Sequence, residues 1–323
     1  MSRQTLTILG LDVGGTKIAC LEGDRAGEIL QRAEMPTNSS RPFDETMPTI
    51  VDTLRRLIAT AEAASRRIIA LSVSVGGPLR IGEGVLVDPP NLPGWHGARL
   101  KARLAESFPD LLVCIEHDGN AGALAEFYFG AGRARRGLRH MIFLTFGTGV
   151  GAGIIVDGHI LHGASDTAGE IGHWRLSRSG PEAFGKCGSW EGFSSGAGLV
   201  KLAALQFPQR WTTQSPIRTL VDAMLAEDTD ALAVAREAGR RLGQGLALLI
   251  DALNPQLIVL GSLAVALGER VLGPAREVIA AEALPQAVAA CEIVPAALGT
   301  RIGDVAALMA ALSDARISKL LES

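Results

Sequence analysis

Apolar residues run from Leu6 to Val13, stop at a Gly-Gly-Thr bend, and resume to about residue 22. That pattern predicts strand, tight turn, strand, a hairpin across residues 5 to 22. It recurs in "MIFLTFGTGVGAGIIVDG", residues 141 to 158, which ends on the turn dipeptide Asp157-Gly158. Between the two, Pro48 to Arg67 sets Ile50, Val51, Leu54, Leu57, Ile58 and Ala61 at helical spacing, and Arg66 to Val75 reads as a buried strand. "LLVCIEHDGN", residues 111 to 120, is a strand running into a polar turn, and Ala121 to Gly130 has the composition of a helix. Ala231 to Leu253 predicts a long helix stopped by Asn254-Pro255, "QLIVLGS" a short buried strand, and Gly303 to Leu321 a closing helix. Helices alternating with strands predict an α/β protein. The two strand-turn-strand units point to a duplicated architecture facing one ligand, with a domain junction near Asp118.

Length and charge narrow the class. With 323 residues and 47% hydrophobic content, the chain can hold two cores. A net charge of −3, from 31 Lys and Arg against 34 Asp and Glu, gives no basic excess for nucleic acid or an acidic membrane surface, so a neutral partner or a small ligand is expected. The N-terminal apolar stretch is too short for a secretory segment, and no later run approaches the ~18 apolar residues of a membrane helix. The expectation is a cytoplasmic protein. Four cysteines, Cys20, Cys114, Cys187 and Cys291, stand far apart with no CxxC pair, which suits a reducing compartment.

Both glycine-rich bends carry candidate chemistry. Residues without a Cβ let backbone N–H groups close on phosphate oxygens, and Gly14, Gly15 and Thr16 form one such bend while Gly147, Thr148, Gly149 and Gly151 form the other. Either turn alone reads more readily as structural; the pair, one flanked by Asp12 and Lys17, favours a phosphate site. Asp12 is a carboxylate inside a strand otherwise fit for burial, and a dication or turn N–H groups are the two ways to stabilise it there. Lys17 reads either as a phosphate contact or as an exposed strand residue. Asp118 ends an apolar strand, where Asp-Gly is by itself a plain turn dipeptide.

In order along the chain, "DVGGTK" (12–17), "NLPGW" (91–95), "EHDGNAGAL" (116–124), "LTFGTGVGAGI" (144–154), "GASDTAGEIGHW" (163–174), "WEGFSSG" (190–196) and "LNPQLIVLGS" (253–262) resemble the motifs of the ROK family of sugar kinases, over nearly the whole length. The resemblance implies an actin-like ATPase (ribonuclease H-like) fold, two α/β domains around a central cleft: residues 1–118, joined by the C-terminal helix at about 303–321, and residues 119–302. It implies ATP and Mg²⁺ as cofactors. Asp12 would hold Mg²⁺ through water. Gly14, Gly15, Thr16 and Lys17, with Gly147, Thr148 and Gly149, would face the phosphates, and Gly261 and Ser262 the adenosine. Asp118 would be the catalytic base that takes the acceptor hydroxyl's proton. Asn91, His117, Asp118, Glu170, His173 and Glu191 would bind the sugar, with Asn120 a weaker candidate. Trp95, Trp174 and Trp190 lie in the same loops and either stack on sugar or pin those loops to the core.

Two departures stand out. Many family members hold a structural zinc with the histidine of "GEIGH" and three cysteines of a CxCGxxGC loop; here those three positions are Glu182, Phe184 and Ser189, and Cys187 is out of register. The zinc is expected to be absent. His117 stands where the family usually has asparagine, which leaves the sugar open. The implied function is transfer of the γ-phosphoryl group of ATP to a primary hydroxyl of a hexose or N-acetylhexosamine, by a homodimer without nucleic-acid or membrane partners. The alternatives are a sugar-binding regulator without catalysis and a kinase using polyphosphate. Family repressors carry a helix-turn-helix ahead of the first motif, and only eleven residues precede Asp12, so the kinase is expected.

Overall fold

A strand with period-two alternation must satisfy two faces, and Thr5–Val13 (β1) does so with different neighbours on each. Leu9, Leu11 and Val13 join Leu54, Val73 and Trp95 in one core; Ile8 joins Leu21, Ala70 and Cys114 in another, closed by Ala307, Leu308 and Ala311 of the helix Ile302–Leu312. Gly10 lies on this second face, where a Cβ would stand only 3.2 Å from that of Ala307, so the missing side chain lets the helix settle on the sheet. The computed structural model describes residues 4–147 and 149–322.

Two units divide the chain. The first comprises Met1–Arg133, His162–Ala168 and Leu298–Ser323; the second comprises Ala134–Leu161 and Gly169–Ala297. In the first, β1 pairs antiparallel with Lys17–Gly23 (β2), which pairs antiparallel with Ile29–Pro36 (β3). On its other side β1 runs parallel to Arg66–Val75 (β4), and β4 parallel to Leu112–His117 (β5). The order is β3-β2-β1-β4-β5. The helix expected from Pro48 begins earlier, as Phe43–Ala63 (α1): Thr46 and Met47 extend its buried stripe, and Pro48 lies in its second turn, where it forgoes one intrahelical hydrogen bond. The helix after β5, Asp118–Tyr128 (α2), starts at Asp118 and belongs to this unit; its Glu126 accepts the N–H of Leu298 at 2.9 Å.

The second unit repeats the order. Met141–Phe146 (β6) pairs antiparallel with Val150–Val156 (β7), and β7 with His159–Ile160 (β8) across the Asp157-Gly158 turn. Leu257–Leu260 (β9) runs parallel to β6, and Glu292–Pro295 (β10) parallel to β9, giving β8-β7-β6-β9-β10. The short helix Trp190–Ser194 (α3) and the long helix Thr229–Leu253 (α4) pack on this sheet through Trp190, Phe146, Leu242 and Leu246. Asp228 caps α4 by accepting the Ala231 N–H at 3.0 Å, and Asn254, left-handed at φ 42°, ends it before Pro255.

One expectation is corrected. The closing helix across 303–321 is two helices, Ile302–Leu312 and Ala315–Glu322. Asp314 breaks it: its carboxylate accepts the Arg316 N–H at 2.9 Å, and the Ser313 hydroxyl donates to the Met309 carbonyl at 2.7 Å, so the chain caps and restarts. Among the described residues no helix is long and apolar enough to cross a membrane.

Candidate functional site

In the first unit the carboxyl ends of three parallel strands lie in register, with Val13 beside Val75 and Val75 beside His117. Candidate residues therefore collect along one sheet edge, where open α/β sheets bind ligands. Asp12 falls on the face covered by the helix Ile302–Leu312, and a Cβ at Gly303 would stand 3.2 Å from its Oδ2. Burial, then the charges of Asp118 and Asp304, push its carboxyl up to about 7, against the pull of Lys17 and a hydrogen bond from Ser74. A carboxylate whose proton is held by burial and like charges is one that a cation would free. The GGT bend is closed by Gly14 N–H to the Lys17 carbonyl (3.0 Å) and by the Thr37 hydroxyl to the Gly14 carbonyl (2.6 Å). Gly15 abuts Asn91, whose Cβ would stand 2.9 Å from one on Gly15. The Lys17 ammonium sits 3.2 Å from Glu34 on β3, exposed.

Asp118 opens α2 with its side chain 59% exposed. Oδ1 accepts the Gly119 N–H at 2.7 Å and lies 3.2 Å from His117 Nδ1; among the described residues no hydrogen bond holds Oδ2, which faces Gly76. His117 is the N-cap of α2, its ring against Gly77, where a Cβ would stand 2.6 Å from Cδ2.

Behind this pair stands a residue that sequence reading missed. Glu116 is buried, and its Oε1 accepts the His117 N–H and the Asn120 side-chain amide, both at 2.9 Å. Its Oε2 accepts from His162 Nε2 at 2.9 Å, and that bond raises the His162 pKa, burial opposing. The segment His162–Ala168 is tied down again where Asp166 accepts the Ile81 N–H at 2.9 Å. Asn120 is thus held as a structural partner. Glu116 was visible as a carboxylate in an apolar strand, like Asp12; nothing local marked His162 or Asp304.

In the second unit Gly147 directly follows β6 and Gly261 directly follows β9, neighbouring parallel strands joined by Gly261 N–H to the Leu144 carbonyl at 2.8 Å. Thr148 lies outside the described residues. Gly149 meets Glu191: a Cβ there would stand 2.7 Å from Glu191 Oε2, which accepts the Val150 N–H at 2.9 Å. Ser262 follows Gly261, exposed and left-handed at φ 51°. Glu191 lies in the first turn of α3, and burial raises its pKa, with the Val150 N–H and His173 opposing. His173 Nε2 lies 3.9 Å from Glu170 Oε2, and both act electrostatically on Glu191, so these three residues gather. Trp95 and Trp190 are fully buried, Trp95 against Phe43 and Trp190 against Trp174; both serve the core.

Two α/β sheets of identical strand order, each with a glycine-rich bend between its first two strands, make this an actin-like ATPase fold. The chain belongs to the ROK family, whose model matches residues 8–313. It is 32% identical to a glucokinase of Halalkalibacterium halodurans over 91% of this chain and 92% of that one. It is 27% identical to a xylose repressor of Bacillus spizizenii over 90% of this chain and 73% of the repressor. Among solved structures, a ROK family glucokinase from Streptomyces griseus in complex with glucose and AMPPNP is similar at a TM-score of 0.71 and 28% identity, covering 93% of this chain and 97% of that one.

Proposed function

We propose that this protein is an ATP-dependent sugar kinase that transfers the γ-phosphoryl group to a primary hydroxyl of a hexose or N-acetylhexosamine. The observation that carries the reading is Asp118: Oδ1 is fixed by the Gly119 N–H, while Oδ2, half exposed with the rest of its side chain, finds no hydrogen-bond partner among the described residues to compete with an acceptor hydroxyl. Phosphoryl transfer is mostly positioning and charge stabilisation, and the one proton to be moved is the acceptor's. In this reading Asp118 takes it. Asn91, His117, Glu170, His173 and Glu191 bind the sugar; the bends at Gly14–Thr16 and Gly147–Gly149 offer N–H groups to phosphates; Gly261 and Ser262 serve the adenosine. Lys17, engaged by Glu34, is left outside the set. Asp12 fits Mg²⁺ held through water, since burial and two neighbouring carboxylates leave it short of positive charge. Bound there, the cation would neutralise charge on the phosphates. AMPPNP bound to the Streptomyces griseus glucokinase supports ATP as donor.

The likeness to a xylose repressor supports a second reading, a sugar-responsive regulator. A coupled kinase assay over hexoses and N-acetylhexosamines, each with ATP and with polyphosphate, decides between them. Turnover with ATP is expected; no phosphorylation of any sugar the protein binds would leave the regulator.

A further inference from the structure

The residues that would hold the family's structural zinc do not fit a metal here, and the structure shows what occupies their places. Glu182 pairs with Cys187 and Ala183 with Lys186 in a small hairpin. Its two turn residues, Phe184 and Gly185, have φ of 55° and 66°, the signature of a type I′ turn. Glycine and asparagine favour that left-handed first position; phenylalanine is strained in it. Phe184 is also 46% exposed, so core burial does not offset the strain. Its ring instead stacks on His173, centroids 3.5 Å apart and planes 19° from parallel. The hairpin is fastened beside that imidazole: the Lys186 ammonium donates to the His173 carbonyl, and Lys201 Nζ donates to the Glu182 carbonyl at 2.7 Å. At the third cysteine position, Ser189 is fully buried and accepts the Gly192 N–H at 3.2 Å, capping the helix that carries Glu191. The one thiol in the hairpin, Cys187, is exposed on its second strand.

We propose that Phe184 is a positioning residue for His173: a ring stack, in place of a metal bond, holds the imidazole beside Glu170 and Glu191 and so preforms the sugar-binding set. This rests on the reading above in which those three residues contact the sugar. A metal fixes a histidine through a ring nitrogen, whereas a stack holds it by the face and leaves both nitrogens for ligand hydrogen bonds.

The test uses Phe184→Gly and Phe184→Tyr in the full chain. Three quantities are measured: the His173 ring proton shifts by NMR, calorimetric binding of D-glucose and N-acetyl-D-glucosamine, and kcat and KM in the coupled assay. Phe184→Gly should move the His173 signals as the ring current is lost, and should weaken sugar binding and raise KM about tenfold, the scale of one lost hydrogen bond. Its kcat should stay within about twofold of wild type, because binding and not the transition state is affected. Its Tm should equal or exceed that of wild type, because glycine relieves the left-handed strain. A merely structural Phe184 would lower Tm and affinity together. Phe184→Tyr keeps the stack and should restore affinity. Unchanged affinity in Phe184→Gly overturns the proposal while leaving the kinase reading intact. Near one zinc per chain by elemental analysis, with sugar binding lost on chelation, overturns it too. Wild-type protein that binds no sugar, with the His173 shifts still responding to Phe184, overturns the sugar reading itself and this role with it.

Discussion

In the proposed kinase, the histidine beside Asp118 bears on which acceptor sugar is recognised. His117 Nδ1 lies 3.2 Å from Asp118 Oδ1, and its ring occupies the space left by Gly77. Replacing it with asparagine substitutes a smaller group with both donor and acceptor capacity. His117→Asn should therefore shift the ratio of kcat/KM between two sugars while leaving the KM for ATP near wild type. An unchanged ratio would put His117 outside the sugar site. His162 makes a second residue-scale prediction. The Glu116 carboxylate favours its charged form, so the pair stabilises the fold at pH below the ordinary histidine value of about 6.5 and loses that contribution as pH rises through the raised value. The gap in unfolding free energy between wild type and His162→Gln should be widest near about pH 6 and narrow as pH rises through the raised value. With the imidazole 38% exposed, it should not exceed about 1 kcal/mol. A gap independent of pH would contradict this.

Among the elements, β2 carries a buried charge. Glu22 is wholly buried within it, matched by the Arg66 guanidinium on β4 through Nε at 2.7 Å and Nη2 at 2.8 Å, and by the Gln31 side chain on β3. Removing the cation alone leaves a buried charge unpaired, so Arg66→Met should cost about 3–5 kcal/mol in urea unfolding, and adding Glu22→Gln should return part of it. A loss below about 1 kcal/mol would mean that water reaches Glu22. Local signals made the two hairpins, β4 and the long helix α4 legible in the sequence, because each is written in adjacent residues: the Gly-Gly-Thr bend, the Asp157-Gly158 turn, the Asn254-Pro255 stop. β3 was not legible. Its burial alternates at an edge, and its residues Gln31, Arg32 and Glu34 offer a weak apolar signal. The break at Asp314 was hidden because apolar spacing continues through it.

For the whole molecule, the repeated strand order was foreshadowed by the recurring bend, but pairings such as β1 with β4 join distant segments and leave no local trace. The candidate site divides the same way. Asp12, Asp118, Glu170, His173 and Glu191 stood in recognisable motifs, whereas Glu116 with His162, and Asp304 near Asp12, came together only through the fold. The proposed kinase depends on Asp118 as its base, and Asp118→Asn separates that role from sugar binding. The amide keeps the shape and can still meet the acceptor hydroxyl, but it cannot accept its proton. Sugar affinity, measured by calorimetric titration, should stay within about tenfold, while kcat in the coupled assay falls by about 10²–10⁴. Full turnover by Asp118→Asn would show that Asp118 is not the base.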